Sequence, residues 1–389
     1  MTCGDCTATP ATTTAATTSH NKTTVLVMRH CLRSVEEDVV YDLPDLPFYD
    51  NYSSRPWPKF PVPPMFCLPR GEELVRASGS WFRAHGELPL PVNALVDECE
   101  RDNATARAFL RGLGVGPHDG SFAIDPRPFH AKASVDCPGM SNADIAAAVG
   151  AYAKAFPAPE PQLLATLYRV LGDGAAGNWT GSVCTPNATS GYLDGSCAAA
   201  SDFAERFMFE WGGNMAIGWG ELRPDDVLSL LRLHSWYRQV SDAVPAVVAS
   251  TQASIARAVL AALEAGRGGT TLFVGHDTQL NALSGALGIA WDPSPFPVNG
   301  TMPGSMLRFD RIGDTVHASY VFMTNYSDDS GDMTSVPVDF LGAAGAAGTP
   351  VTLADFQARA EAGSIAACAN SVSAGAPDEP GDNSATLVV

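Results

Sequence analysis

The chain has 389 residues, of which 46% are hydrophobic and 17% charged, and 42 acidic against 24 basic residues give a net charge of −18. This composition is that of a globular protein and excludes an intrinsically disordered chain. The negative charge argues against nucleic acid and anionic membrane surfaces as partners, and no apolar run approaches the roughly 20 residues of a membrane span.

Residues 1–22 are rich in threonine and alanine and contain Cys3 and Cys6. The segment has no basic start and no apolar stretch, so we interpret it as a flexible lead-in and not as an intact signal peptide. The Cys-x-x-Cys spacing fits a small disulfide or two metal ligands, but two ligands do not make a site.

The first predicted strand, Val25–Met28, is followed at once by Arg29, His30 and Arg33. Arginine is rarely buried without a partner, and its guanidinium fork matches the geometry of phosphate. A histidine between two arginines is a candidate nucleophile for attack on such an anion. The alternative is a strand end with ordinary surface arginines.

A proline-rich stretch with interleaved aromatic residues follows over residues 36–64. A loop of this length either walls the pocket or is a stiffened surface loop with buried aromatic side chains. Pro69 then opens a helix, predicted over residues 72–85.

A second predicted strand, Val92–Val96, leads to Arg101 and a helix that ends near Leu113. We expect a short strand over Ile124–Phe129, followed by His130, which we interpret as a structural histidine.

Residues 141–244 carry mostly helical patterns, with no clearly alternating strand. We interpret this region as a helical cap inserted into an α/β domain. A long helix over residues 241–265 is predicted to return the chain to the sheet. The predicted helices of the cap are 142–156, 161–171, 201–211 and 225–238.

The returning strand, Thr271–Val274, leads to His276 and Asp277 and then to a helix over residues 279–287. Ligands of open α/β sheets bind outside the carboxyl ends of the strands. The residues after the three strands are therefore expected to converge on one tetrahedral anion.

Towards the end of the chain, two strands are predicted near residues 306–309 and 316–323. Residues 328–348 are expected to form a loop, and residues 351–362 a helix opened by Thr352. We expect the tail from residue 374 to be disordered, because it is rich in proline, glycine and aspartate.

Two motifs far apart in the chain resemble those of the histidine acid phosphatases, the acid phosphatase and phytase branch of the histidine phosphatase superfamily. They are Arg29-His30-Cys31-Leu32-Arg33 and Gly275-His276-Asp277-Thr278. The resemblance is greatest to bacterial periplasmic phytases and glucose-1-phosphatase, and it covers roughly residues 24–369. The family usually has glycine and proline where this chain has Cys31 and Val35.

The resemblance implies an α/β fold in which a mixed, mainly parallel sheet is flanked by helices, with an inserted helical cap domain. On this basis the α/β domain comprises residues 23–136 and 246–373, and the cap comprises residues 137–245. The lead-in is then residues 1–22 and the disordered tail residues 374–389.

The resemblance also implies a mechanism in which His30 attacks phosphorus and Asp277 acts as general acid and base. Its implied catalytic residues are Arg29, His30, Arg33, Arg101, His276 and Asp277, and its implied substrate-binding residues are Arg29, Arg33, Arg101, His276, Thr278, Glu36 and Glu210. No metal and no cofactor are expected, since no ligand cluster is evident among the eight histidines. The expected partner is a small phosphomonoester, and the expected state is a monomer.

The cysteines and glycosylation motifs of the chain predict a secreted glycoprotein. There are nine cysteines and seven Asn-x-Ser/Thr sequons, which favour an oxidising compartment. We therefore expect a secreted protein whose signal peptide is removed or missing from this sequence. The family resemblance implies two disulfides, Cys184–Cys197 and Cys137–Cys368, and two of Cys31, Cys67 and Cys99 are expected to pair.

The preferred substrate is predicted from charge near the pocket. Related phytases place threonine and lysine where this chain has an acidic run that begins at Glu36, and Glu210 adds a carboxylate from the cap. Because carboxylates repel distal phosphates, singly phosphorylated sugars or small alcohols are expected to be preferred over phytate.

Two other functions were considered. A phosphoglycerate mutase is disfavoured by the chain length and the helical insert. A catalytically silent, phosphate-binding secreted glycoprotein stays open, with Cys31 and Val35 as its support.

Overall fold

A computed structural model gives the fold of the chain. Among the helices it describes, none is both long enough and apolar enough to cross a membrane. The described residues are 22–35, 49, 52–86, 88–116, 118–130, 141–154, 159, 161–172, 185–186, 188, 193–194, 196–245, 247–248, 252–266, 268–343, 346 and 348–362. Residues 1–21 of the predicted lead-in, the tail and the acidic run at Glu36 lie outside them, whereas Lys22 belongs to the first strand.

The described residues form eleven strands and nine α-helices. The strands are β1 Lys22–Arg29, β2 Val92–Val96, β3 Gly120–Ile124, β4 Thr185–Pro186, β5 Leu193–Asp194, β6 Gly269–Gly275, β7 Ile289–Trp291, β8 Met306–Ile312, β9 Thr315–Met323, β10 Met333–Phe340 and β11 Val351–Thr352. The helices are α1 Pro69–His85, α2 Glu100–Leu113, α3 Asn142–Ala153, α4 Pro161–Leu171, α5 Ser196–Gly212, α6 Pro224–Asp242, α7 Ala253–Glu264, α8 Asp277–Leu287 and α9 Leu353–Ala362.

Nine of these strands form one mixed sheet in the order β3-β2-β6-β1-β8-β9-β10-β7, with β11 paired to β9. The pairings from β3 through β2 and β6 to β1 are parallel, and the described pairings beyond β1 are antiparallel. The predicted mixed sheet flanked by helices is confirmed. Parallel pairing does not dominate the sheet, however, because it is confined to four strands.

Strand β1 is the centre of the sheet, and its apolar sequence explains this position. Val25, Leu26, Val27 and Met28 are all 0% exposed, as expected for a strand covered on both faces. Its parallel partner is β6, with Arg29 level with Gly275. Strand β2 pairs with the other side of β6, so the carboxyl ends of all three strands lie at one edge.

The described residues between β3 and β6 are mostly helical, as predicted, and form α3 to α7 with the short β4–β5 ladder. The fully buried aromatic side chains Phe203 and Phe207 of this region belong to the same apolar cluster as the sheet residues Val25 and Phe309. A smaller apolar cluster around Val149 lies within the helical region itself. The main core therefore runs without interruption from the sheet into the insert. The domain boundaries stay predictions.

Three sequence-based predictions of secondary structure are wrong. The single helix over residues 241–265 is replaced by α6, which ends at Asp242, and α7, which begins at Ala253. Pro245 explains the break, because proline removes a helical N–H and disfavours helix at the preceding residue. Residues 120–124 form β3, whereas the strand was expected over residues 124–129.

The third error is β10, which lies inside the segment expected to be a loop. It pairs with β9 over Met333 to Pro337 and with β7 over Val338 to Phe340. Pro337 within the run disfavours a strand interpretation from sequence, since proline cannot donate to the ladder.

The described part of the proline-rich stretch packs on the helical insert. Trp57 contacts the rings of Phe203 and Trp219. The Arg206 guanidinium lies 4.3 Å from the centre of the Trp57 ring. These contacts agree with the second sequence interpretation, a stiffened loop with buried aromatic side chains.

A disulfide joins Cys31 to Cys67, and Cys99 keeps a free thiol. The bridge closes 36 residues, which in the disputed chain-entropy model stabilises the fold by about 4 kcal/mol. Cys197 is also disulfide-bonded. Its predicted partner Cys184, like Cys137 and Cys368, lies outside the described residues.

Candidate active site

His30 follows β1 directly and is 2% exposed. Its Nδ1–H donates to the carbonyl oxygen of Cys31 at 2.8 Å, which leaves the lone pair on Nε2. Burial lowers the pKa of His30 well below its usual value, and the charges of Arg101, Arg33 and Arg29 lower it further. The ring is thus held neutral, with an unprotonated Nε2, within the electrostatic reach of three guanidinium groups. This is the state a nucleophile needs.

Cys31 fixes the backbone beside His30. Its N–H donates to the hydroxyl of Thr105 at 2.8 Å, and its side chain forms the bridge to Cys67. Cys31 is absent from the residues with positive φ, so the exchange of glycine for cysteine brings no backbone strain. The cysteine therefore anchors the turn after His30 through its disulfide.

Arg29 and Arg33 share a carboxylate that sequence analysis did not select. Glu205 on α5 pairs with Arg29 Nη2 through Oε1 and with Arg33 Nη2 through Oε2, the latter at 3.2 Å. Burial opposes ionisation of this glutamate, but the two arginines lower its pKa to about 2. Glu205 is therefore a permanent negative charge beside both arginines.

Arg101 and His276 form a second pair of donors. Arg101 lies in the first turn of α2, and His276 is the residue ahead of α8. Arg101 Nη2 is 3.3 Å from His276 Nδ1, and the rings of His276 and His30 are 5.5 Å apart. The two donors therefore border the same space as His30.

Two carboxylates lie on the other side of the His276 ring. Its Nε2–H donates to Asp97 Oδ2 at 3.1 Å, and Asp102 Oδ2 is 3.6 Å away. Burial opposes the charge of His276, but the hydrogen bonds with Asp97 and Cys99 and the charge of Asp102 raise its pKa to about 9. The carboxylates favour the doubly protonated ring, whereas the hydrogen bond from Arg101 requires an unprotonated Nδ1. Two N–H donors cannot bond to each other, so a doubly protonated His276 and Arg101 both need another acceptor. An anion bound between them accepts from both.

Asp277 is buried between three cationic or potentially cationic groups. Its Oδ2 lies 3.3 Å from Arg29 Nη2, 3.3 Å from Arg238 Nε and 3.4 Å from His234 Nε2. Burial opposes ionisation, but Arg238 and Arg29 hold the pKa of Asp277 well below its usual value. Asp277 is thus ionised when no substrate is bound.

Of the other residues predicted for substrate binding, one joins the site and one does not. Thr278 lies beside it and donates its N–H to Asp277 Oδ1 at 2.9 Å. Glu210 is directed elsewhere: its Oε1 accepts from Arg206 at 2.9 Å, and its Oε2 accepts from the Gly218 N–H at 2.8 Å. Glu36 lies outside the described residues.

Glu210 thus has a structural role. Gly218 and Trp219 have φ values of 53° and 60°, in the left-handed region. Glu210 stabilises this turn by accepting the hydrogen bond from the Gly218 N–H. The sequence predicted that Glu210 brings a carboxylate from the helical region to the site. The carboxylate beside Arg29 and Arg33 belongs instead to Glu205, five positions earlier on the same helix.

Sequence analysis missed five residues of the site, which are Asp97, Asp102, Glu205, His234 and Arg238. Asp97 follows β2 directly, so the strand-end argument that selected His30 also applies to it. Glu205 lies in a helix whose other residues are mostly apolar or small, apart from Asp202, Arg206 and Glu210, and charges in such a helix signal buried partners. His234 and Arg238 carry no such signal in sequence.

The expectation that no histidine joins a potential metal-ligand cluster is wrong for the described residues. Glu205, His234 and Asp277 approach one another closely enough to share an ion, but Arg29, Arg33 and Arg238 surround them and disfavour a cation. A second cluster comprises Asp97, Cys99, Asp102 and His276.

Solved bacterial phytases share the fold of this chain. Hafnia alvei phytase in complex with myo-inositol hexakis sulphate superposes with a TM-score of 0.75 at 22% identity, over 90% of this chain and 98% of that chain. Citrobacter braakii phytase gives 0.73 at 21% identity, over 89% and 98%. Klebsiella sp. ASR1 phytase gives 0.68 at 17% identity, over 91% and 98%. No protein-family model and no curated protein matches the chain.

Proposed function

We propose that this chain, which has the fold of the bacterial histidine acid phytases, is an acid phosphatase that forms a phosphohistidine on His30. The observation that carries the proposal is the neutral His30 ring: its Nε2 carries no proton, and burial together with the charges of Arg101, Arg33 and Arg29 lowers its pKa. A tetrahedral dianion fits such a set of donors, and its phosphorus would lie within reach of the nucleophile.

The first step transfers the phosphoryl group from the alcohol oxygen to Nε2 of His30. The bond between phosphorus and the ester oxygen breaks while the bond to nitrogen forms. Arg29, Arg33, Arg101 and His276 stabilise the charge on the non-bridging oxygens, which is where stabilisation is needed in phosphoryl transfer. Water then attacks phosphorus in the second step and releases phosphate and free His30.

Asp277 is assigned the proton transfers, and its surroundings suggest how it becomes an acid. In the free protein Arg29 and Arg238 favour its carboxylate form. A bound phosphate dianion draws Arg29 into its own hydrogen bonds and adds negative charge beside Asp277. Both effects raise the pKa of Asp277, so the complex takes up the proton that the leaving alcohol needs.

The proposed substrates are small monoesters, such as sugar phosphates, with inositol phosphates as poorer ones. Glu205 already neutralises part of the charge of Arg29 and Arg33. This carboxylate opposes each further negative charge that enters the pocket, so a polyphosphate is expected to bind less well than a monoester. One pair of unit charges at about 4 Å is worth about 4 kcal/mol at an effective dielectric of 20, before screening.

We also propose that the protein works in an oxidising compartment, as a secreted protein. The Cys31–Cys67 bridge and the disulfide at Cys197 support this, since disulfides persist in such compartments. The Cys31–Cys67 bridge stands directly beside the nucleophile, so reduction is expected to disturb the site.

The test is hydrolysis of a chromogenic phosphomonoester between about pH 3 and about pH 8, with and without EDTA. We expect turnover that is greatest at acidic pH and insensitive to the chelator. A protein that binds phosphate but releases no dye at any pH would instead be the silent phosphate-binding glycoprotein.

A further inference from the structure

Four potential metal ligands lie on the Nε2 side of the His276 ring. Asp97 ends β2, Cys99 precedes α2, Asp102 lies in the first turn of α2, and His276 precedes α8. Their donor atoms all lie within 4.8 Å of one another. The phosphoryl transfer described above assigns neither Cys99 nor Asp102 a contact with the phosphoryl group, and both act on it only through the pKa of His276.

Asp102 is the residue that points to a missing ligand. It is 0% exposed, and neither of its carboxylate oxygens accepts a hydrogen bond within the described part of the chain. Its Oδ2 is directed into the group, 3.6 Å from His276 Nε2. Burying a carboxylate that accepts no hydrogen bond costs free energy of folding. The free lone pairs of Asp102 therefore indicate a ligand, such as a cation, that they would bind.

We propose that Asp97, Cys99, Asp102 and His276 bind a soft divalent cation of the zinc class. One thiolate, one imidazole and carboxylate oxygens form a ligand set that Zn²⁺ accepts, whereas Mg²⁺ and Ca²⁺ require oxygen ligands. Binding releases the Nε2 proton of His276 and the thiol proton of Cys99 to solvent.

The distances suit this ion. Two ligands at 2.0 to 2.1 Å from a tetrahedral ion are roughly 3.3 Å apart. His276 Nε2 lies 3.1 Å from Asp97 Oδ2 and 3.6 Å from Asp102 Oδ2, so small side-chain shifts complete the geometry. The Glu98 N–H and His130 Nε2 hold the other oxygen of Asp97 at 2.8 and 3.0 Å, as outer-shell partners of metal ligands do.

The cation would stand behind the phosphate site and not within it. Nε2 faces the proposed metal, whereas Nδ1 faces Arg101 and the anion space. A metal on Nε2 leaves Nδ1 as the protonated nitrogen, so His276 still donates to a bound phosphoryl group. The site therefore adds metal binding to this fold without a metal-dependent reaction.

The experiment titrates the full-length chain with Co²⁺, a spectroscopic substitute for zinc, at about pH 7. We expect one equivalent to produce a thiolate-to-cobalt charge-transfer band that Zn²⁺ then abolishes. Cys99→Ser should lose the band, and Asp102→Asn should keep it while the affinity falls at least about tenfold. Circular dichroism checks the folding of both variants, and Asp102→Asn is the second variant on which the proposal is tested if Cys99→Ser does not fold.

The matched control is the double variant Cys3→Ser and Cys6→Ser, which removes the other candidate thiol ligands near the start of the chain and should keep the band. No band in the unaltered protein would overturn the proposal. So would a band that survives in Cys99→Ser, unchanged Co²⁺ affinity in Asp102→Asn, or a band lost in the double variant.

Discussion

The site has two walls that are built in different ways. The sheet wall comes from the ends of three parallel strands and the first turns of the helices after them, and consists of Arg29, His30, Arg33, Arg101, His276 and Asp277. The helix wall comes from α5 and α6 of the insert, and consists of Glu205, His234 and Arg238.

The walls differ in charge and in what that charge can do. The sheet wall holds the proposed nucleophile, the neutral His30, and most of the cations, which any phosphoryl transfer at this place needs. The helix wall brings a carboxylate to two of those cations and a guanidinium to Asp277. On this comparison, we expect the sheet wall to perform the reaction. We expect the helix wall to set the substrate range through Glu205 and the protonation of Asp277 through Arg238.

The largest effect is expected from a change in the sheet wall at the nucleophile. His30→Ala should lower kcat for every monoester by about 10³-fold or more, because the covalent route is lost. Purified protein and a chromogenic ester suffice for the measurement, with circular dichroism as the control for folding. Turnover at the unaltered rate would remove His30 from the mechanism.

The next effect concerns Asp277, where the two walls meet. Asp277→Asn should slow alkyl phosphates by about 10² to 10⁴-fold, since an alkoxide leaves poorly without a proton donor. An ester with a good leaving group should lose far less. Equal losses for the two substrates would show that Asp277 only positions Arg29 and does not transfer the proton.

A smaller effect is expected from the helix wall. Glu205→Gln should raise kcat/KM for phytate relative to glucose-1-phosphate by about tenfold, more at low salt than at high salt, because it removes a carboxylate beside two arginines. Glu210→Gln is the matched control on the same helix, since its partners are Arg206 and Gly218. The idea fails if Glu210→Gln shifts the ratio of kcat/KM for phytate to that for glucose-1-phosphate and Glu205→Gln does not.

The smallest effect concerns pH. In the metal-free protein, burial opposes the charge of His276, but Asp97, Cys99 and Asp102 raise its pKa to about 9. With EDTA present, its contribution to anion affinity should therefore be complete below its ordinary value near 6.5 and be lost as pH rises through about 9.

Sulfate inhibition is the suitable measurement, because sulfate does not titrate in this range. The inhibition constant should rise about tenfold to a hundredfold over this interval, the value of a hydrogen bond to a charged group. His276→Asn should show weak inhibition with no such step. A step that persists in the variant would assign the titration to another group.

The sheet wall could be predicted from sequence because local rules determine it. An apolar strand that runs into Arg29 and His30, and another that runs into His276 and Asp277, place these residues at one edge once the strands are parallel neighbours. Asp97 follows the same rule, since it comes directly after β2. The sequence interpretation selected only Arg101 from the residues after this strand.

The helix wall could not be predicted in the same way. Which turn of α5 faces the arginines depends on how the insert packs against the sheet, and that packing leaves no local pattern in sequence. An acidic residue on α5 was expected, but Glu210 was selected, whereas Glu205 lies one turn and a half nearer the start of the helix. The Cys31–Cys67 bridge likewise needed the structure to distinguish it from pairings with Cys99.

The central claim is that phosphate passes through a covalent bond to His30. The most direct test is a rapid alkaline quench during turnover, followed by peptide mass spectrometry, since phosphohistidine survives base. The account predicts one phosphoryl group on the peptide that contains His30, and none in His30→Ala. Phosphate on another residue, or steady turnover of a good substrate with no phosphorylated His30 at any quench time, would contradict it.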